Sequence, residues 1–354
     1  MSFYFCLAAL EFLLLFGLRS IKFSVSLSVL GIVFLSIVLG FISGFQGPEV
    51  GRDRQSYILM YDSLPGDTSG LGLAKDVGYY LLSYFFRAIL GFDHQVFFFL
   101  IVSGTVLTIL LVTWKLSGNF YLSVLLYLTQ FFLIQGMVQL RVQLAVSFLF
   151  LCIFYLSKRR FALSLAFLAI GASFQYSAII FSVVYLVRCA PTKKLLVLLV
   201  AAFFVSVFLE RFIAQLLTYV GDNIPDNRIT SYLGLAFNGF DLSLNRFKFV
   251  IVVKLIFLLS LTLVKNDRGN DLQATIQIVA ICMFWLLNLS GVMASRVYEI
   301  FAVFEIIFYA NLANRFREKR LFLFVIVGYC FLNLVGQVFI SSTFGQFYFS
   351  FPTN

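Results

Sequence analysis

Residues 158–188 read KRRFALSLAFLAIGASFQYSAIIFSVVYLVR, and the path of the chain through this stretch decides how many helices it has. The apolar part, 161–187, has basic residues at both ends, Lys158-Arg159-Arg160 before it and Arg188, Lys193 and Lys194 after it. Basic residues beside membrane helices mark the cytoplasmic side. With both ends held on one side, the stretch is predicted to fold back as a short hairpin that turns at Ser173-Phe174-Gln175-Tyr176. One tilted helix over 161–187 is the alternative. A broken, partly re-entrant pair is tolerated only where protein or water satisfies its backbone groups, which would make it an element lining a cavity.

Outward from there the chain has the same character, since 61% of its 354 residues are hydrophobic and only 12% are charged. Soluble domains carry roughly a quarter charged residues, so no water-soluble fold is expected. A helix needs about 20 apolar residues to cross a ~30 Å hydrocarbon core. Apolar runs predict helices near 3–18, 23–45, 94–114, 119–135, 137–157, 161–174, 176–187, 194–209, 246–264, 272–290, 297–314 and 321–341. The basic clusters at Arg19/Lys22, Lys115, Lys158–Arg160, Arg188/Lys193/Lys194, Lys265/Arg268 and Arg315–Arg320 hold 15 of the 26 Lys and Arg residues. One alternating path puts all of them in the cytoplasm and both termini outside.

The expected fold is therefore all-α, a polytopic transmembrane protein of about twelve helices in a single membrane domain, 1–354, with exterior loops near 46–93 and 210–245. The net charge of +10 lies in clusters that orient helices, which argues against nucleic acid as a partner. The first apolar run is followed by Arg19 and Lys22 instead of being preceded by basic residues, so it reads as a retained helix entering from outside.

Little conventional active-site chemistry is on offer. The five cysteines, Cys6, Cys152, Cys189, Cys282 and Cys330, lie singly in or beside apolar runs and read as small membrane-buried hydrophobes. His94 is the only histidine, so acid–base work falls to carboxylates, Tyr or Lys. Ionisable groups inside a bilayer are costly and mark function by default. Glu11, Lys254, Glu299 and Glu305 fall in predicted helices, where internal pairing is the plain alternative. Arg141 and Arg296 fall at outer helix ends, at a depth where a lipid pyrophosphate could lie, and two guanidinium forks could hold a diphosphate. Gln135, Gln139 and Gln143 follow at i, i+4 and i+8 around Arg141 and suggest a polar cavity wall or interhelical hydrogen bonds, with a helix break at Gly136. Gly40 and Gly44 form a G-x-x-x-G that predicts a close helix contact.

The first exterior loop carries Arg52, Asp53 and Arg54, then Tyr57, a turn at Pro65-Gly66-Asp67, and an aromatic run Tyr79–Leu90 too short to span and expected at the interface. The second carries Asp222, Asp226, Arg228 and Asp241. Asp53, just beyond the second helix, is the leading candidate for a catalytic base, because a loop carboxylate at the membrane surface can reach an acceptor hydroxyl. A solvated, salt-bridged turn with Arg52 and Arg54 is the plain alternative.

These residues resemble a known family. Gly51-Arg52-Asp53, with Tyr57 four residues after the aspartate, is similar to the G-x-D-x-x-x-Y signature that follows an early helix in the EpsG-type polysaccharide polymerases, relatives of the Wzy O-antigen polymerases. Asp76-Val77-Gly78-Tyr79-Tyr80 is similar to the family's acidic-Pro-Gly-aromatic stretch, and Arg141-Val142-Gln143-Leu144-Ala145 to its R-Q-x-L-A. Ser173-Phe174-Gln175-Tyr176-Ser177-Ala178 stands in the place of F-H-x-S-A, and Ser295-Arg296-Val297-Tyr298 is the main echo further on. Val77 replaces the family's Pro, Val142 its Gln, and Gln175 its His. Gln175 cannot carry a proton but can orient a substrate through hydrogen bonds.

The resemblance implies a glycosyl transfer on the periplasmic face of a bacterial inner membrane, in lipopolysaccharide or exopolysaccharide synthesis. The donor would be a growing glycan on undecaprenyl pyrophosphate and the acceptor a lipid-linked repeat unit, in contact with membrane lipids and with a chain-length regulator as a further partner. Asp53, Arg141 and Arg296 would then act on the reacting groups, with Arg52, Arg54, Tyr57, Gln139, Gln143, Gln175 and Tyr298 around the substrate. No cofactor is implied. A twelve-helix transporter, a lipid-linked-glycan flippase and an O-antigen ligase are the competing readings.

Overall fold

A computed structural model describes residues 25–48, 50–51, 53–64, 76–190, 192–208, 249–260, 271–287, 291–316 and 318–336. Among them the backbone forms helices joined by short turns, with no strand. In chain order they are α1 (Val25–Gly44), α2 (Arg54–Asp62), α3 (Val77–Tyr84), α4 (His94–Leu116), α5 (Phe120–Leu126), α6 (Leu140–Ser157) and α7 (Phe161–Phe174). There follow α8 (Val183–Val187), α9 (Thr192–Phe208), α10 (Phe249–Ser260), α11 (Leu272–Leu286), α12 (Gly291–Ala302), α13 (Glu305–Ala313) and α14 (Lys319–Val335). The expected first helix with Glu11, the second exterior loop, Arg52, the turn at Pro65-Gly66-Asp67, and Lys265, Arg268 and Arg317 lie outside the described residues.

Three helices, α1, α4 and α6, are long and apolar enough to cross a membrane. At 1.5 Å per residue, the 23 residues of α4 reach about 35 Å. Shorter apolar helices fill most of the remaining predicted spans. An all-helical chain with these segments is that of a multi-pass membrane protein. The apolar side chains Leu30, Phe34, Ile37 and Phe41 line the exposed face of α1, as lipid contact requires, while Ile32, Ser36, Leu39, Gly40, Ser43 and Gly44 are buried.

The described residues fall into two compact units, one drawn from Met1–Ile179 and Tyr309–Asn354, the other from Ile180–Phe308. In the first, α1 packs along α4 through the expected G-x-x-x-G. A Cβ on Gly44 would come within 2.7 Å of the Phe99 Cβ, and one on Gly40 within 2.9 Å of the Phe99 carbonyl oxygen. Gly171 of α7 lies close to α6, 3.2 Å from the Ala145 carbonyl oxygen by the same measure. Ser164 of α7 donates to the Cys152 carbonyl at 2.8 Å. Asn311 joins α13 to the α4–α5 turn by accepting from the Gly118 amide at 2.6 Å and donating to the Leu116 carbonyl at 3.0 Å.

The expected break near Gly136 is present. After α5 the chain widens into i→i+5 turns over Tyr127–Gly136 and begins α6 only at Leu140. A broken helix leaves carbonyls without amides, and inside a membrane other groups must serve them. Ser43 donates to the Gly136 carbonyl at 2.6 Å, and the Gln46 Nε2 to the Met137 carbonyl at 2.6 Å.

The decisive stretch is also interrupted where expected. Helix α7 stops at Phe174, Gln175 takes an extended conformation (φ −147°, ψ 103°), and a 3-10 turn runs over Tyr176–Ser182 into α8. In the second unit α11 packs against α9 and α12, with Phe203 edge-on to Trp285 at 5.1 Å. Phe181 lies between Phe301 and Phe304, at 5.1 and 5.3 Å. The expected single helix over 297–314 is instead two, α12 and α13, interrupted at Val303-Phe304. Cys152, Cys282 and Cys330 are buried as expected, but Cys189 is exposed because it falls in the turn between α8 and α9.

Candidate functional site

The first unit gathers the separated sequence signatures around one guanidinium. Arg141, in the first turn of α6, places Nη1 2.5 Å from Asp76 Oδ2. Asp76 precedes α3, and its other oxygen, Oδ1, accepts the Tyr176 amide at 3.3 Å, just past the end of α7. One carboxylate thus links the start of α6 to the break after α7. The Arg141 guanidinium lies 5.4 Å from the centroid of Tyr57, within cation–π range. Tyr57 in turn is tilted against Tyr79 at 6.0 Å.

Burial separates the partners of this pair. The Asp76 side chain is 6% exposed while that of Arg141 remains 25% exposed, so the carboxylate forms the floor and the guanidinium reaches outward. Tyr79 is buried beneath them. Burial raises its pKa well above the ordinary tyrosine value, reinforced by Tyr57 and opposed by Arg141 and Arg54, so it stays a neutral phenol. Gln175 is buried, and its Nε2 donates to Ser177 Oγ at 3.2 Å.

Asp53 stands at the N-cap of α2, half-buried, and its carboxylate does not turn back to cap the helix. Gly51 brings this loop against the broken segment, because a Cβ there would lie 3.0 Å from Val138 Cγ2 and 3.4 Å from the Met137 carbonyl oxygen. Arg54 points the other way. It is 1% exposed, its Nη2 donates to the Gly44 carbonyl at the end of α1 at 2.7 Å, and its guanidinium lies 4.2 Å from the centroid of Phe98. Burial pulls its pKa below the ordinary arginine value, against a smaller opposing effect of Tyr79. Arg52 lies outside the described residues.

Of the expected glutamine wall, Gln139 is the residue just before α6, and Gln143 faces inward with its Nε2 donating to the Tyr127 hydroxyl at 3.3 Å. Gly136 leaves room for it, since a Cβ there would lie 3.0 Å from Gln143 Oε1. His94, the single histidine, lies with Nδ1 3.5 Å from Asp62 Oδ2, at the start of α4.

In the second unit, Arg296 and Tyr298 lie on α12. Tyr298 faces a buried ion pair: Lys254 Nζ is 2.8 Å from Glu305 Oε2 and 4.5 Å from the Tyr298 ring centroid. Lys254 is 0% and Glu305 1% exposed, which is the internal pairing expected of such residues. Glu305 opens α13, where the helix dipole favours a carboxylate.

Two features were beyond the sequence reading. Asp76 holds Arg141, although the only signal was its place in an acidic-x-Gly-aromatic stretch. Ser43 and Gln46 serve the broken helix, and no local pattern announces that. Compared with known proteins, the model of the EpsG family matches the chain over residues 28–351. No curated protein and no solved structure matches it.

Proposed function

The chain belongs to the EpsG family, and from that premise we propose that it polymerises lipid-linked oligosaccharide repeat units on the periplasmic face of a bacterial inner membrane. Membership points to a membrane protein of the polysaccharide-polymerase type. The single observation that carries the reading to a site is the meeting of Tyr57, Asp76, Arg141 and the Gln175–Tyr176 break, drawn from four separate signatures.

The donor is a glycan on undecaprenyl pyrophosphate. Asp53 accepts the proton of an acceptor hydroxyl as that oxygen forms a bond to the donor's anomeric carbon. The bond from that carbon to the pyrophosphate oxygen breaks, and Arg141 and Arg296 take up the charge on the departing diphosphate. Arg52, Gln139, Gln143, Gln175, Tyr57 and Tyr298 orient the sugars. Arg54 is reassigned to the scaffold, because its donors are turned toward Gly44 and Phe98. About twelve spans, with termini and the 46–93 loop outside, would place this chemistry where lipid-linked sugars are met.

Reconstitution of the full chain in proteoliposomes with a lipid-pyrophosphate-linked repeat unit tests the proposal. The expected products are longer lipid-linked glycans and free undecaprenyl pyrophosphate. Movement of the lipid across the bilayer without a new glycosidic bond would make the chain a flippase. Transfer only to lipid A would make it a ligase.

A further inference from the structure

Asp76 uses both carboxylate oxygens, one on Arg141 Nη1 at 2.5 Å and one on the Tyr176 amide at 3.3 Å. With its side chain 6% exposed, it is poorly placed to meet an acceptor hydroxyl. Arg141 is different, since it is partly exposed and a guanidinium has five donors, of which this pairing occupies one. The approach that makes the bridge possible is built into the chain. Gly78, two residues on, lies where a Cβ would run into Ser173 Oγ and come within 3.0 Å of the carbonyl carbon and oxygen of Ser173, so glycine lets α3 start close to the end of α7 without displacing that residue. Gln175 then sits one residue before the amide that Asp76 holds.

We propose that Asp76 is a positioning residue, which fixes the Arg141 fork toward a diphosphate and ties it to the Gln175–Tyr176 break so that guanidinium and glutamine are presented together. This rests on the reading of Arg141 as a phosphate ligand. A carboxylate that orients a guanidinium restricts the rotamers it must otherwise lose on binding, and so strengthens each bond to phosphate. The deduced order is fixed: Asp76 acts through Arg141, and Tyr176 acts through Asp76.

The test uses the full chain in nanodiscs with farnesyl pyrophosphate as the probe, read by titration. Asp76→Asn keeps an acceptor for the Tyr176 amide and removes the negative charge that faces Arg141. It should weaken binding by about fivefold or more in the Arg141 background and by less than about twofold in an Arg141→Lys background, the non-additivity expected of residues in one network. Tyr176→Pro deletes the amide donor together with the ring, at the first position of a 3-10 turn after an extended residue, where proline is tolerated. Against Tyr176→Ala, which loses the same ring but keeps the amide, it should weaken binding in the same direction as Asp76→Asn. This second arm reads the bridge even if Asp76→Asn does not accumulate. Equal or tighter binding by Asp76→Asn, an undiminished effect in the Arg141→Lys background, or no binding by the unaltered chain would each overturn the proposal. A chain that binds the probe through Arg141 and Asp76 but adds no repeat unit to a lipid-linked acceptor would refute the polymerase reading alone.

Discussion

Gly78 and Ser173 touch backbone to backbone, close enough that a Cβ on Gly78 would lie 3.0 Å from both the carbonyl carbon and the carbonyl oxygen of Ser173. Alanine in a helix is worth about 1 kcal/mol over glycine, but forcing atoms into a filled contact costs about 1–3 kcal/mol. Gly78→Ala should therefore lower the unfolding temperature of the purified chain and shorten the glycans it makes, because α3 must back away from α7. Ser173→Ala should rescue it only in part, since it removes the nearest obstructing atom, Oγ, and leaves the main-chain carbon and oxygen at 3.0 Å. A higher unfolding temperature for Gly78→Ala would show that the contact yields freely.

Arg54 should behave as part of the scaffold. Its hydrogen bond to the Gly44 carbonyl joins a charged donor to the buried C-terminal end of α1, an interaction worth about 1.5–3 kcal/mol. Arg54→Ala is expected to reduce the amount of folded protein in the membrane while leaving the KM for the donor near that of the parent among molecules that fold. Normal protein levels with a raised KM would return Arg54 to the substrate.

What was legible in the sequence follows from how local each signal is. Residues 161–187 break at Gln175 because polar residues interrupt an apolar run that has basic groups at both ends, and all of these signs lie within one stretch. Gly136 likewise marks the gap before α6, and Gly40 and Gly44 mark the contact with α4. The interruption at Val303-Phe304 carries no glycine, proline or polar residue, so 297–314 reads as one helix. Arg54 follows Arg52 and Asp53 in what reads as a solvated turn, and only the tertiary fold turns its side chain beneath the end of α1. The Arg141–Asp76 pair spans 65 positions, and sequence offers no means of choosing which carboxylate a given arginine will meet. The chemistry-bearing residue types were therefore visible, while their partners were not.

Lys254 and Glu305 neutralise each other in a fully buried site, 2.8 Å apart. Removing one partner strands a charge and costs about 3–5 kcal/mol, whereas replacing both with groups of similar volume is often nearly neutral. Lys254→Met and Glu305→Gln should each reduce accumulation in the membrane, and the double variant should recover most of it. If the double variant accumulates but makes no polymer, the pair has a chemical role beyond neutralising itself.

Orientation can be read by labelling. The path that keeps all basic clusters in the cytoplasm puts 46–93 outside, so a cysteine at Asp67 should react with a membrane-impermeant thiol reagent in cells whose outer membrane has been opened. Reaction with permeant reagents only would reverse the topology and move the proposed chemistry to the cytoplasmic face.

With Asp76 committed to Arg141 and Tyr176, Asp53 is the carboxylate proposed for base catalysis. It begins α2 without capping it, on a loop that Gly51 packs against the broken segment before α6. Asp53→Asn keeps the size of the side chain and removes its basicity. Asparagine also keeps an acceptor oxygen, so the membrane level should stay near that of the parent, as an immunoblot of the membrane fraction would check. General-base catalysis contributes about 10²–10⁴-fold, so a loss of that size should leave single repeat units on the lipid in place of a ladder of chain lengths. Arg141→Lys should also lose most activity if the diphosphate is held by a fork, since a lysine offers charge without that geometry. The two variants differ in a way that separates their roles. Asp53→Asn should lower kcat with little effect on donor KM, whereas Arg141→Lys should raise donor KM as well. A normal ladder from Asp53→Asn at native expression would remove it from the mechanism, and the base would then have to come from another carboxylate such as Asp226 of the second loop.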